Sequence, residues 1–188
     1  DIFLLDSILP VRFVAKKEIE SWPVFGLISR AAGTLFIDRS RKRAVLEMAE
    51  KMNETLRAGE SVLFFPEGTT GEGRVLLPFY ANLFASAVAT EAELIPVVIR
   101  YTQKGKVTTI PSYAGNIPLF TVMKRIVFSS GLEAEVQVLE PISSAGVDRK
   151  TLCAQTSAVM SAALGVPDAT AAKEEAVRQR REAALKHD

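Results

Sequence analysis

Val62-Leu63-Phe64-Phe65-Pro66-Glu67-Gly68-Thr69-Thr70-Gly71 is the stretch on which the reading of this chain turns. Four apolar residues, two of them aromatic, predict a short buried strand. Proline stops that strand, because it has no N–H for the next rung of a ladder. A glutamate, a glycine and two hydroxyl residues follow at once. Loops just past buried strands are where α/β proteins place chemistry, since the scaffold holds them. Taken alone, the stretch also fits an ordinary turn with a solvated Glu, so its surroundings must decide.

Upstream, Gly33-Thr34-Leu35-Phe36-Ile37-Asp38-Arg39 has the same build, a strand ending in charged residues. A long helix joins the two, with Val45, Ala49, Met52 and Leu56 at helical spacing and Gly59 past its end. Arg41, Lys42 and Arg43 stand at its start. Further back, residues 2–9 predict a buried helix ending before Pro10, and residues 11–15 a strand. Lys16, Lys17 and Glu18 follow, and a helical pattern begins at Ile19. Pro23 interrupts it and opens a second helix through Phe25, Leu27 and Ile28 to Ala32, with Gly33 as its cap.

Downstream, residues 66–77 read as a loop with Gly68, Gly71 and Gly73, and a helix of small residues runs from Leu83 to Val88. Residues 94–101 are a strongly apolar strand through Pro96, which predicts an edge or a bulge there. Loop and hairpin signals fill 103–115. Residues 117–128 are amphipathic, with Leu119, Val122, Met123, Ile126 and Val127 on one side. A strand over 133–139 and a helix capped by Asp148 complete the pattern. Strands alternating with helices predict an α/β fold: a mixed, mostly parallel central sheet flanked by helices. Its expected extent is residues 1–166, with a charged helical tail over 167–188.

Composition narrows the function. The chain has 188 residues, 48% of them apolar, and a mean hydropathy of +0.16. That is enough for a real core and leaves apolar surface to meet something. No run reaches the roughly 18 apolar residues that span a bilayer. A net charge of +1 gives no field suited to nucleic acid. The single Cys153 excludes an internal disulfide and, in an apolar helix with no His partner, reads as a plain thiol. No cluster has the character of a metal site, and no glycine-rich nucleotide fingerprint is present. The chain begins in mid-pattern without Met or signal peptide, which predicts that upstream sequence precedes it.

The ordered blocks resemble the glycerolipid acyltransferases of the lysophosphatidate type. That family has His-x-x-x-x-Asp, then Gly-x-x-Phe-Ile-Asp-Arg, then Phe-Pro-Glu-Gly-Thr, then an apolar run with a Pro. Here Gly33 to Arg39, Phe65-Pro66-Glu67-Gly68-Thr69 and Ile95-Pro96-Val97-Val98-Ile99 follow that order. The resemblance covers residues 1–140. By position Asp1 is similar to the Asp of the first block, so its His would precede the chain. The only histidine present is His187, in the charged tail. The resemblance therefore implies that residues 1–188 alone are inactive. Tyr80 and Asn82 also depart from the residues common at those positions.

The resemblance implies transfer of an acyl chain from acyl-coenzyme A or acyl-carrier protein, as co-substrate, to a lysolipid hydroxyl. No resident cofactor or metal is expected. The implied acceptor is 1-acyl-sn-glycerol-3-phosphate, with lyso-ornithine lipid as the close alternative. A hydroxyl becomes a nucleophile only as a base takes its proton, and imidazole suits that task. A carboxylate on the other ring nitrogen, here Asp1, fixes the tautomer and stabilises the imidazolium. His and Asp so spaced lie about 140° apart round a helix, so a turn leading into residues 2–9 must bring them together. Arg39 is the implied phosphate ligand, since guanidinium bonds phosphate in pairs. Glu67 and Gly68 are implied to position the acceptor, by hydrogen bonding and by close approach of backbone. Lys16, Phe36, Ile37, Asp38, Phe65, Pro66, Thr69 and Thr70 complete the candidate substrate site; Lys16 is equally readable as an exposed cation. A membrane surface on the cytoplasmic face of the inner membrane is the implied setting, with the protein peripheral or held by upstream sequence. Two other classes stay open: a non-catalytic lipid- or anion-binding domain, and a hydrolase, against which the lack of a Ser- or Cys-centred base arrangement counts.

Overall fold

In the computed structural model, residues 1–20, 26–27, 29, 33–37, 42–112, 117 and 119–171 are described. The chain divides into two units that alternate along the sequence. The first takes Asp1–Pro66, Ala81–Leu94 and Ser143–Arg149, and the second takes Glu67–Tyr80, Ile95–Ile142 and Lys150–Asp188.

The first unit begins with helix α1 (Ile2–Asp6), shorter than residues 2–9 predict. Pro10 is close and cannot extend the ladder, and the last turn closes with Leu9 N–H on Leu5 C=O at 2.8 Å. Strand β1 (Arg12–Lys16), helix α2 (Lys17–Glu20), strand β2 (Leu35–Ile37), helix α3 (Lys42–Arg57) and strand β3 (Val62–Leu63) follow. All three strands are parallel in the order β2-β1-β3. Val14 aligns with Leu35 and Lys16 with Ile37, while Arg12 aligns with Val62 and Phe13 with Leu63. Connections through helices are what parallel pairing requires. Met48 and Met52 of α3 pack with Val14, and Leu35, Val62 and Phe64 close the cluster. Phe13 is fully buried, which stabilises by about 2–3 kcal/mol. Gly59 ends α3 at φ +78°, in the left-handed region that glycine tolerates.

The strand expected over 62–65 is only two residues long. Phe64 leaves the ladder to stand edge-on to Phe84, with ring centroids 5.3 Å apart and planes at 86°. Phe84 ends a 3₁₀ turn (Ala81–Phe84) that leads into helix α4 (Ala85–Thr90). Ser144 returns to this helix from far along the chain, its hydroxyl 2.9 Å from Ala87 C=O and 2.7 Å from Ala92 C=O. Of the helix predicted from Pro23 to Ala32, Gly26, Leu27 and Ser29 are helical and the remainder lies outside the described residues.

The second unit is built on strands β4 (Val97–Gln103), β5 (Lys106–Val107) and β6 (Leu132–Val138), in the order β5-β4-β6. These pair antiparallel, with Val97 opposite Val138 and Gln103 opposite Leu132. Lys104 (φ 50°) and Gly105 (φ 75°) make the two-residue β4–β5 turn. Both are left-handed, so the turn matches the twist of its strands. The edge predicted from Pro96 is a correction: β4 is the central strand, and Pro96 precedes it. Its missing N–H therefore removes no rung, while its C=O accepts from Leu139 N–H at 2.9 Å.

Helix α5 (Leu119–Phe128) buries Val122, but Val127 is 70% exposed and does not share that side as predicted. Phe120, Lys124, Val127 and Phe128 form an outward stripe at helical spacing, with Lys124 Nζ 4.8 Å from the centre of the Phe120 ring. Helix α6 (Arg149–Leu164) buries Leu152 and Cys153. Arg100 of β4 donates to the C=O groups of Ala163 and Leu164, both at 3.1 Å, placing a cation at the helix C-terminus. The expected fold class holds: helices flank a sheet of parallel strands, and an antiparallel sheet accompanies it.

Candidate functional site

Parallel pairing sends β1, β2 and β3 in one direction, so their C-terminal ends share one edge of the first sheet. Lys16 ends β1, and Ile37, its register partner, ends β2. Phe36 lies beside Ala15 and is half-buried. Phe65 and Pro66 leave β3 at that same edge, also half-buried. Asp38 and Arg39 lie outside the described residues. Asp1 immediately precedes α1, and its C=O accepts from Leu5 N–H at 2.9 Å. At the opposite, N-terminal edge is an open polar depression lined by Asp6, Leu9, Arg12, Gly33 and Glu60. Arg12 and Glu60 form an ion pair there. Among the described residues, none of those past the strand ends lines it.

Glu67 opens the second unit's loop. Thr69 and Thr70 are exposed, whereas Glu67 and Gly68 are half-buried. Gly68 stands at φ +64°, where a side chain would be strained. Burial pushes the Glu67 carboxyl up to about 7, and a hydrogen bond from Leu77 N–H offsets part of that rise. Gly71 is close by: a Cβ there would stand 3.3 Å from Leu77 Cδ1 and 3.6 Å from Glu67 Oε2. Ser112 hydroxyl donates to Gly71 C=O at 2.8 Å and fixes this part of the loop. Glu67 is thus a carboxyl group that accepts from the Leu77 backbone beside Gly71. Near neutral pH it populates both forms, so it can accept a hydrogen bond from a hydroxyl or donate one.

Sequence reasoning did not find Leu77, Ser112 or the segment beyond Pro167. Leu76 N–H donates to Pro167 C=O at 3.0 Å, and Ala169 N–H donates to Leu76 C=O at 3.1 Å. Thr170 Oγ1 accepts from Phe79 N–H at 3.0 Å. Asp168 accepts from Ser157 hydroxyl at 2.8 Å and from Thr170 N–H at 2.7 Å. One signal was present: an Asp directly before an Ala-rich run is a helix N-cap pattern.

The family model described as Acyltransferase matches residues 1–100. A 1-acyl-sn-glycerol-3-phosphate acyltransferase of Neisseria gonorrhoeae is 43% identical over 72% of this chain and 53% of its own length. A lyso-ornithine lipid O-acyltransferase of Pseudomonas aeruginosa is 35% identical over 87% of this chain and 63% of its own. The chain thus spans about half to two thirds of these relatives' lengths. A crystal structure of the 1-acyl-sn-glycerophosphate acyltransferase PlsC of Thermotoga maritima is similar in fold. Its TM-score is 0.60 at 19% identity, covering 88% of this chain and 60% of that one.

Proposed function

The chain belongs to the acyltransferase family, and from that premise we propose that it serves an O-acyltransferase acting on a lysolipid hydroxyl. The acceptor is 1-acyl-sn-glycerol-3-phosphate and the product phosphatidate. The donor is the thioester of coenzyme A or of acyl-carrier protein, and no resident cofactor takes part. One observation carries this reading: directly after the Phe65-Pro66 turn, Glu67 is a half-buried carboxyl group fixed by Leu77 N–H and titrating near neutrality.

In this mechanism the acceptor hydroxyl loses its proton to an imidazole as it attacks the thioester carbon; the C–S bond then breaks, and the imidazolium returns the proton to the departing thiolate. Asp1 holds that ring in one tautomer and stabilises its charged form. Glu67 holds a glycerol hydroxyl through a hydrogen bond, and Gly68 lets the backbone come close to it. Arg39 takes the acceptor's phosphate. The codons preceding Asp1 are expected to complete a His-x-x-x-x-Asp block; any other sequence favours a binding domain without turnover.

A lyso-ornithine lipid acceptor is the second reading, favoured because the Pseudomonas relative aligns with a longer share of this chain. The Arg39→Ala variant of the full-length protein separates the two. It is expected to raise KM for the phosphate acceptor by roughly 10- to 100-fold, as loss of a charged hydrogen-bond donor does, and to leave an ornithine acceptor nearly unchanged. Equal small effects on both would remove Arg39 from the site. Thioester-dependent gain of an acyl chain by the lysolipid distinguishes a transferase from a hydrolase or a binding module.

The membrane reading rests on the α5 stripe. Phe120, Val127 and Phe128 are 70%, 70% and 84% exposed, with Lys124 and Arg125 beside them. Among the described residues no helix is long and apolar enough to cross a bilayer. We assign α5 as a helix lying in the headgroup region of the cytoplasmic leaflet, aromatic residues inward and cations on lipid phosphates. Replacing Phe120 and Phe128 by Ser should weaken binding to anionic vesicles by about tenfold or more; unchanged sedimentation would refute it.

A further inference from the structure

The loop bearing Glu67 has its far end fastened by chain that lies beyond the family match. We infer that residues 167–170 form a strap that positions the Glu67 carboxylate through the backbone of Leu76 and Leu77. The inference rests on the reading that Glu67 serves the acceptor.

In extended chain, the N–H and C=O of one residue point to one side, and those of the next residue point to the other. Both groups of Leu76 are engaged by the strap, its N–H by Pro167 and its C=O by Ala169, in a parallel bridge that sets Leu76 beside Asp168. Leu77 N–H is thereby turned away from the strap, and it is this N–H that Glu67 accepts. Phe79 N–H donates to Thr170 Oγ1 at 3.0 Å, a second fastening beyond Pro78. Leu76 is 4% exposed, Phe79 7% and Thr170 5%, so water does not compete at this fastening.

The strap is itself locked from α6. Ser157, fully buried on that helix, donates to one Asp168 oxygen. The other oxygen accepts from Thr170 N–H at 2.7 Å and Ala171 N–H at 3.4 Å, which is an N-cap. The cap sets the turn that aims Thr170 Oγ1 at Phe79. A relay of Ser157, Asp168, Thr170, Phe79 and Leu76 thus runs from a buried helix to the peptide that holds Glu67. These are positioning residues: none is assigned a contact with substrate.

The test uses the full-length protein with Thr170→Val, Thr170→Ser and Asp168→Ala. Thr170→Val and Asp168→Ala are expected to raise KM for the acceptor about tenfold and to leave KM for the thioester donor within twofold. Thr170→Ser, which keeps the acceptor oxygen, should restore the parent behaviour. Amide exchange at Leu76, Leu77 and Phe79 should quicken about tenfold, while β4 and α6 amides keep their protection. Unchanged exchange at Leu77 in Thr170→Val overturns the strap. So does a fall in the Tm with equal loss of affinity for both substrates, which marks a merely structural role. Glu67→Gln separates the two levels. If it leaves acceptor KM and rate intact, the acceptor reading fails, and the exchange result alone then decides whether the strap holds Leu77. If Glu67→Gln is impaired and both strap variants are not, the strap fails and the acceptor reading stands.

Discussion

The parallel sheet β2-β1-β3 and the antiparallel sheet β5-β4-β6 divide structural labour unequally. β1 meets β3 at two registered positions, Arg12 with Val62 and Phe13 with Leu63. β4 meets β6 along all seven of its residues. Short parallel strands put three chain exits on one edge, and Phe65 and Pro66 leave the sheet there. The long antiparallel ladder carries a tight turn at one end and offers no comparable row of exits. It supplies rigidity instead, and Arg100 ties it to the end of α6. The lesson is that ladder length and chemical content run in opposite directions in this molecule.

Charge placed in the long ladder should do the most damage. Val98 is 4% exposed on β4, and Val98→Asp buries an unpaired carboxylate at a cost of about 4 kcal/mol or more. Equilibrium urea unfolding should register most of that loss. A loss no larger than that of Val62→Asp in the short ladder would erase the contrast between the sheets.

Glu67→Gln should act on turnover first. Loss of a group that titrates and holds the acceptor is expected to lower kcat/KM by roughly 100-fold. Its effect on stability has the opposite sign. The folded carboxyl titrates near 7 rather than at its ordinary 4.5, so the fold favours the neutral form. The stabilisation this gives is complete below pH 4.5 and is lost as pH rises through 7. The glutamine variant should therefore match the parent at pH 4.5 and exceed it at pH 8, by about 1–2 kcal/mol after allowing for partial solvent exposure. Thermal melts at the two pH values measure the difference, and a constant gap between them would refute the burial of this group.

Phe64→Leu should have the smallest effect. It removes the edge-on contact with Phe84 while keeping most of the apolar volume, at a cost of about 1 kcal/mol. A larger loss would mean that β3, short as it is, depends on its aromatic continuation.

The sequence made the first unit easier to read than the second, for physical reasons. Strand β2, helix α3 and its Gly59 cap follow from local pattern, because each carries its own periodicity and stop signal. The Phe-Pro-Glu-Gly block marks a strand exit by chemistry that no interior position tolerates. Pro96 misled because proline disfavours central strands, yet one position before a strand it costs nothing. Val127 misled because a helical wheel ranks residues by polarity, whereas α5 leaves apolar residues outward. The hold of Leu77 on Glu67 depends on backbone direction, which side-chain pattern does not encode. The fastening of residues 76–79 by residues 167–170 joins positions far apart in sequence, beyond any local window. Only the N-cap at Asp168 left a trace of it.

Ser144 carries a consequence for biosynthesis. The first unit includes Ser143–Arg149, and the Ser144 hydroxyl bridges to two carbonyls of the α4 turn. During translation the motif-bearing strands emerge early, but their unit stays open until those late codons have been read and cleared the exit tunnel. Closing so long a loop delays completion of the native contacts. A nascent chain halted before Ser143 would thus present the sheet's exits without its last clasp, exposed to holding chaperones and to proteases.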